Sequence, residues 1–173
     1  MRNLSLLTDL YQLTMINAYI ETGISKKDSV FDLFYRKSPF TEFAVAAGLE
    51  TAIEYIKNLH FEKDDLEYLK SLNIFGDKFF EVMKDFNFTG DIYAVREGEI
   101  IFPNEPILTV KAPLYQAQLL ETALLNIINH QTLIATKAAK ITQQTDGAVL
   151  EFGLRRAQGP DAGIYGTRAA IIG

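Results

Sequence analysis

The sequence predicts an α+β region, helices plus a short antiparallel β meander, leading into the start of an α/β unit, and three observations predict it. Apolar residues recur at helical spacing through residues 4–20, 43–59 and 113–145. Between them, residues 89–110 alternate apolar and polar side chains and are cut by Gly98 and by the turn Pro103-Asn104-Glu105-Pro106, the pattern of short strands joined by local turns. From Ala148 an apolar, β-branched run then changes within a few residues to Arg155-Arg156, a Gly159-Pro160 turn and Asp161. That order reads as buried strand, charged loop and helix.

In chain order, Thr8 reads as the cap of a first helix carrying Leu10, Leu13 and Ile16, with Asp9 in the first turn where the helix dipole favours a carboxylate. The segment Thr8-Asp9-Leu10-Tyr11-Gln12 gathers its polar groups in one turn, although Tyr11 also reads as an ordinary half-buried aromatic. Residues 29–37 alternate through Phe31, Leu33 and Tyr35 as a strand, stopped by Ser38-Pro39. Residues 43–59 form a helix through Ala46, Ala47, Ile53 and Ile56, with Gly48 as a weak interruption, and residues 62–69 and 78–86 form two more. Asp64-Asp65 opens an acidic helix and reads as a solvated first turn in preference to a Mg²⁺ or ribose site.

Pro113 opens a helical region that reaches about Thr145 with no Gly or Pro inside it. As one helix it spans roughly 45 Å, longer than a single small domain needs, so a break is expected near Asn129-His130-Gln131-Thr132. The last helix is expected to be capped by Asp161 and ends at Gly173, directly after what reads as a first strand of an α/β layout. One parallel strand makes no sheet, and the chain is therefore expected to be the front part of a longer protein.

A chain of 173 residues with 48% apolar and 23% charged residues is long enough to bury a core of ordinary globular composition. Its formal charge of -5 opposes a nucleic-acid surface, so any anion site must be local. The absence of Cys removes disulfides and thiolate metal sites. Neither a secretory signal nor a membrane-spanning run is present, and the expectation is a cytoplasmic protein without membrane or nucleic-acid partners.

The Phe152–Asp161 stretch carries the chemistry. At the carboxyl edge of a strand, Arg155 and Arg156 offer guanidinium forks suited to phosphate or carboxylate, and Phe152 offers a flat apolar face to a ring. A surface loop whose arginines pair with acids elsewhere is the other reading of the same residues.

Taken with Leu7-Thr8-Asp9-Leu10-Tyr11-Gln12-Leu13-Thr14-Met15, Phe43-Ala44-Val45-Ala46-Ala47-Gly48-Leu49-Glu50, Arg96-Glu97-Gly98 with Pro103, and Asn129-His130-Gln131-Thr132-Leu133-Ile134-Ala135-Thr136-Lys137, the stretch Glu151-Phe152-Gly153-Leu154-Arg155-Arg156-Ala157-Gln158-Gly159-Pro160-Asp161 resembles the N-terminal portion of the nicotinate phosphoribosyltransferase family. The order and spacing of these segments along the whole chain carry the resemblance. It implies an N-terminal α+β domain over residues 1–136 and, over 137–173, the first strand and helix of an irregular α/β barrel of the type II phosphoribosyltransferase kind.

The resemblance further implies an enzyme that joins nicotinate to 5-phosphoribosyl 1-pyrophosphate, with Mg²⁺, and with ATP hydrolysis coupled through a phosphohistidine. It implies a homodimer with active sites at the subunit interface, in which the nicotinate ring lies between Phe152 and Tyr11 of the neighbouring subunit. Arg155 is then placed against the ligand's anionic groups with Arg156 as a companion. The family's histidine falls beyond Gly173, neither His60 nor His130 replaces it, and Lys137 is left out of the site; the fragment alone is expected to be inactive. A quinolinate phosphoribosyltransferase-like enzyme is the alternative within the chemistry. A non-catalytic assembly module that pairs with a second chain is the alternative outside it.

Overall fold

A computed structural model describes residues 3–37 and 42–173. It resolves into two compact units. One gathers the described residues of Met1–Phe31, Ile53–Ile92 and Thr109–Leu124, the other those of Asp32–Ala52, Tyr93–Leu108 and Leu125–Gly173. The elements in chain order are α1 (Leu10–Glu21), β1 (Asp28–Leu33), β2 (Ala44–Val45), α2 (Leu49–Asn58), α3 (Lys63–Ser71), α4 (Asp77–Lys84), β3 (Asp91–Ala94), β4 (Ile100–Ile101), β5 (Leu108–Pro113), α5 (Leu114–Thr142) and α6 (Pro160–Ile172). Among the described residues no helix is long and apolar enough to cross a membrane.

Helices and small antiparallel sheets make up the α+β region that the sequence predicts. In the first unit, α1 buries Leu13 and Ile16. Asn17 accepts the Gly76 N–H at 3.0 Å, which ties the start of α4 to α1. Phe79, fully buried, stacks on Phe75 at 4.5 Å, and Phe86 meets Phe61 and Tyr115 edge to face at 6.1 and 6.0 Å. α3 begins with a capping box between Glu62 and Asp65, so the acidic pair at 64–65 is a helix start, as expected.

In the second unit a core of small residues, Val45, Ala47, Ala135, Ala139 and Ala169, is flanked by Ile134 and Ile172. β2 lies so close to α5 that its backbone is satisfied by buried threonines. Val45 N–H donates to Thr136 Oγ1 at 2.9 Å, and Thr132 Oγ1 both accepts from Ala47 N–H at 3.2 Å and donates to Ala47 O at 3.1 Å.

Several sequence expectations are corrected. Asp9, not Thr8, is the N-cap residue of α1. Residues 43–59 are not one helix: Ala44–Val45 pairs antiparallel with β4, Ala44 opposite Ile101 and Val45 opposite Ile100, and α2 starts only at Leu49. The reason is Gly48, whose φ of +102° cannot continue a helix and whose α-carbon lies against α5, where a Cβ would sit 3.1 Å from Ile127 O. The strand from residue 28 ends at Leu33, short of the expected 37, and the Ser38-Pro39 stop lies outside the described residues.

The β module is also less local than a meander. β4 pairs with β2, and β5 stands between β1 and β3. Leu114 N–H to Lys27 O at 2.9 Å and Ile107 N–H to Leu33 O at 2.8 Å give β1 and β5 opposite directions.

α5 has no break at Asn129–Thr132 and runs unbroken for 29 residues, about 43 Å at the usual rise. The polar groups expected to interrupt it have partners: Gln131 Nε2 donates to Thr51 Oγ1 at 3.0 Å, and Thr132 serves Ala47. The expected strand at 148–152 is not formed. No described strand lies beside it to complete a ladder, and Leu150 and Phe152 are 79% and 75% exposed. Finally, α6 is entered through Gly159 as N-cap with Pro160 at its first position; Asp161 sits in the first turn and is not the cap.

Candidate functional site

The corner at residues 151–156 is braced by its own acid. Glu151 Oε1 accepts the Gly153 N–H and Oε2 accepts Thr167 Oγ1 at 3.0 Å, which fastens the bend to α6. Leu154–Arg156 follows as a 3₁₀ turn closed by Arg156 N–H to Gly153 O at 2.8 Å. Gly159, at φ +100°, then reverses the chain into α6. The result presents Phe152 and both arginines on the surface, and the Arg155 guanidinium carbon stands 5.8 Å from the centre of the Phe152 ring. Arg156 is exposed on the same turn.

Tyr11 belongs to the other unit, in the first turn of α1, where a polar network fixes it. Its hydroxyl donates to Glu121 Oε1 at 3.3 Å and accepts from Gln12 Nε2 at 2.8 Å. Gln12, fully buried, in turn accepts from Gln118 Nε2. Gln118 also accepts from Tyr19 Oη at 3.2 Å and donates to Glu121 Oε2 at 3.2 Å, while Thr122 Oγ1 donates to Asp9 Oδ2 at 3.1 Å. The Tyr11 ring remains 49% exposed. Partial desolvation, and after it the Glu121 carboxylate, raise the phenol above its ordinary pKa, so the hydroxyl stays protonated at neutral pH. The Asp9–Gln12 segment thus holds the half-exposed Tyr11 side chain by its hydroxyl.

The structure therefore brings together Phe152 and Arg155, with Arg156 beside them, and places Tyr11 in the other unit. His60 Nδ1 donates to Asn58 O at 2.7 Å, two residues away, and His130 Nε2 on α5 meets Ala162 O on α6 at 3.2 Å. Among the described residues no group of three or more His, Asp or Glu is gathered to hold a metal.

Sequence reasoning missed Arg168. Its Nη1 and Nη2 donate to Glu97 Oε1 and Oε2 at 2.9 and 2.6 Å, a two-pronged fork, and it also reaches Glu50 Oε2 and, at 3.2 Å, Gln131 Oε1. Glu97 Oε1 accepts the Gly48 N–H at 2.6 Å as well. Hydrogen bonds from Arg168 hold the Glu97 carboxyl below its ordinary range against the opposing effect of partial burial, and the Gly48 N–H adds to the lowering. The same bonds push the guanidinium upward. Glu97, Glu50 and Gln131 all lie in segments that carry the family resemblance, which was the one signal available; Arg168 lies in none.

Comparison with known proteins begins with the fold. The crystal structure of nicotinate-nucleotide pyrophosphorylase from Pyrococcus furiosus superposes with a TM-score of 0.72 over 96% of this chain and 35% of that one, at 23% identity, a likeness of fold alone. The two chains share a fold over the matched length.

Residues 6–129 match the family model of the nicotinate phosphoribosyltransferase (NAPRTase) N-terminal domain. The chain is 52% identical over 99% of its length to nicotinate phosphoribosyltransferase of Bacillus subtilis (strain 168), covering 35% of that protein. The crystal structure of human nicotinic acid phosphoribosyltransferase matches with a TM-score of 0.87 and 36% identity over 95% of this chain and 34% of that one. The chain belongs to the nicotinate phosphoribosyltransferase family, and it spans about a third of the length of these relatives.

Proposed function

We propose that this chain is the pyridine-holding N-terminal part of an enzyme that joins nicotinate to 5-phosphoribosyl 1-pyrophosphate, forming nicotinate mononucleotide and pyrophosphate in NAD salvage. The ring nitrogen forms the new bond to C1 of the ribose as the C1–oxygen bond breaks, and pyrophosphate departs with the electron pair. Departure leaves an oxocarbenium-like carbon, so the nitrogen must be held in line and anions must be held at either end. Phe152 is the platform for the ring, and Arg155 holds its carboxylate, with Arg156 as companion. Tyr11 closes the other face from a second copy of the chain in a homodimer.

The whole enzyme takes ATP as co-substrate and Mg²⁺ with its phosphates. Residues 137–173 are proposed as the entry into the barrel, and the location as cytoplasmic. The observation that carries the reading is the Phe152–Arg155 pair, an open aromatic face with a guanidinium over it, in a chain of this family.

A chimaera tests it. With this chain replacing the matching third of the Bacillus subtilis enzyme, nicotinate mononucleotide should form from nicotinate and 5-phosphoribosyl 1-pyrophosphate. A folded chimaera that forms none would reject the proposal.

A further inference from the structure

We propose that Arg168 is a positioning residue for the bend that carries Phe152 and Arg155: its fork on Glu97 fixes the rotation of α6, and α6 holds the bend. The functional half of this inference rests on the reading of that bend as the ring site.

The bend is attached to α6 at two points. Thr167 Oγ1 donates to Glu151 Oε2 at 3.0 Å, and Leu154 of the 3₁₀ turn lies over Gly163, where a Cβ would come 2.6 Å from Leu154 Cδ1. The bend therefore follows α6 when α6 turns. Yet the face that α6 buries is Gly163, Gly166 and Ala169. Residues this small raise no ridge to interlock with a neighbouring groove, so packing sets how close α6 lies and leaves its rotation to other bonds.

Directional hydrogen bonds supply the rotation. Near the start of α6, Ala162 O meets His130 Nε2 at 3.2 Å. More than a turn later, Arg168 donates to Glu97 at 2.9 and 2.6 Å and to Gln131 at 3.2 Å. Glu97 is itself held, since it accepts the Gly48 N–H at 2.6 Å at the entry to α2. A planar fork closed on a held carboxylate admits one orientation, which a single charge contact does not. Thr167 and Arg168 are neighbours, about 100° apart around the helix, so a rotation that releases Arg168 carries Thr167 away from Glu151. A partly desolvated ion pair adds little net stability over apolar side chains of similar size, and register is what it supplies here.

The test uses the chimaeric enzyme with Arg168→Lys, with Arg168→Met, and with Arg168→Met combined with Glu97→Gln. The combination removes the stranded charge and keeps an acceptor for Gly48. Thermal unfolding reports stability, amide exchange in the peptide covering 151–158 reports the bend, and steady-state kinetics with nicotinate report the site. The double variant should regain most of the Tm lost in Arg168→Met while its bend exchanges about tenfold faster than in the unsubstituted chimaera. Its kcat/KM should stay about 10- to 100-fold down, the effect of a misplaced ring. Arg168→Lys, still charged but without the fork, should show the loosened bend as well.

Unchanged bend exchange in Arg168→Lys and in the double variant, or recovery of exchange and kcat/KM together with Tm, would overturn the positioning role. A loosened bend with unchanged kcat/KM would instead take Phe152 and Arg155 out of the site and leave the hold of Arg168 on the bend standing. An inactive unsubstituted chimaera rejects the proposed function, and exchange alone then decides that hold.

Discussion

Arg168, on α6, closes both prongs of its guanidinium on the Glu97 carboxylate, Nη1 to Oε1 at 2.9 Å and Nη2 to Oε2 at 2.6 Å. Glu97 is 19% exposed and Arg168 30%, so neither group is freely solvated. Removing one partner leaves the other's charge partly desolvated, a larger effect than the net worth of the pair. Arg168→Met should therefore lower stability by about 1–3 kcal/mol, and Arg168→Lys, which keeps charge but loses the fork, by less. Urea unfolding at neutral pH measures both; equal losses would show that charge alone matters.

The same pair sets an acid limit. The folded Glu97 carboxyl ionises below its ordinary value of 4.5 because of Arg168. Between the two values the unfolded chain binds more protons, so the contribution is full above the ordinary carboxylate range and is lost as pH falls through the lower folded value. Glu97→Gln should flatten the stability-against-pH curve on that acid side. A curve as steep as the wild type's would assign the acid sensitivity elsewhere.

Two glycines separate backbone conformation from packing. Gly48 and Gly159 have nearly the same φ, +102° and +100°, but a Cβ at Gly48 would meet Ile127 O at 3.1 Å, whereas at Gly159 it would find open space. Gly159→Ala should cost about 1–3 kcal/mol from its backbone conformation alone, φ +100° with ψ 167°. Gly48→Ala should cost more, because α5 backbone must also shift. Thermal unfolding of both variants makes the comparison, and an equal loss would mean that α5 yields freely.

Much of this was legible beforehand because it rests on local patterns. The stripe of Leu13 and Ile16 and the acidic start at Asp64-Asp65 gave α1, α3 and α4 to within a few residues, and Phe152 and Arg155, singled out by residue type, lie 5.8 Å apart, guanidinium carbon to ring centre. What failed depended on distant partners. Gly48 is a helix breaker only because of where α5 lies, and α5 stays whole at Gln131-Thr132 because Thr51 and Ala47 receive those side chains. The run at 148–152 has strand composition, yet a strand needs a neighbour. Arg168 pairs with Glu97 across 71 residues of sequence, a separation that no periodicity reports.

The polar network around Tyr11 runs through Gln118. Gln118→Leu deprives buried Gln12 and the Tyr19 hydroxyl of partners and should cost about 1–3 kcal/mol. In the complete enzyme Tyr11→Phe should leave turnover near normal, since the ring face is kept, while Tyr11→Ala raises the KM for nicotinate. A Tyr11→Phe defect as large as that of Tyr11→Ala would shift the role from the ring to the hydroxyl.

In the same enzyme Arg155→Ala should lower kcat/KM for nicotinate by about 2–4 kcal/mol of transition-state stabilisation. Near-normal turnover would take Arg155 out of the site.

The central claim is a site built from Phe152 and Arg155 of one copy and Tyr11 of another, and subunit complementation in the chimaeric enzyme tests it most directly. Tyr11→Ala and Arg155→Ala, each impaired alone, should regain activity when co-refolded, because a mixed dimer holds one site with both native residues. A mixture that stays as impaired as its components, with mixed dimers demonstrably formed, would contradict the shared site.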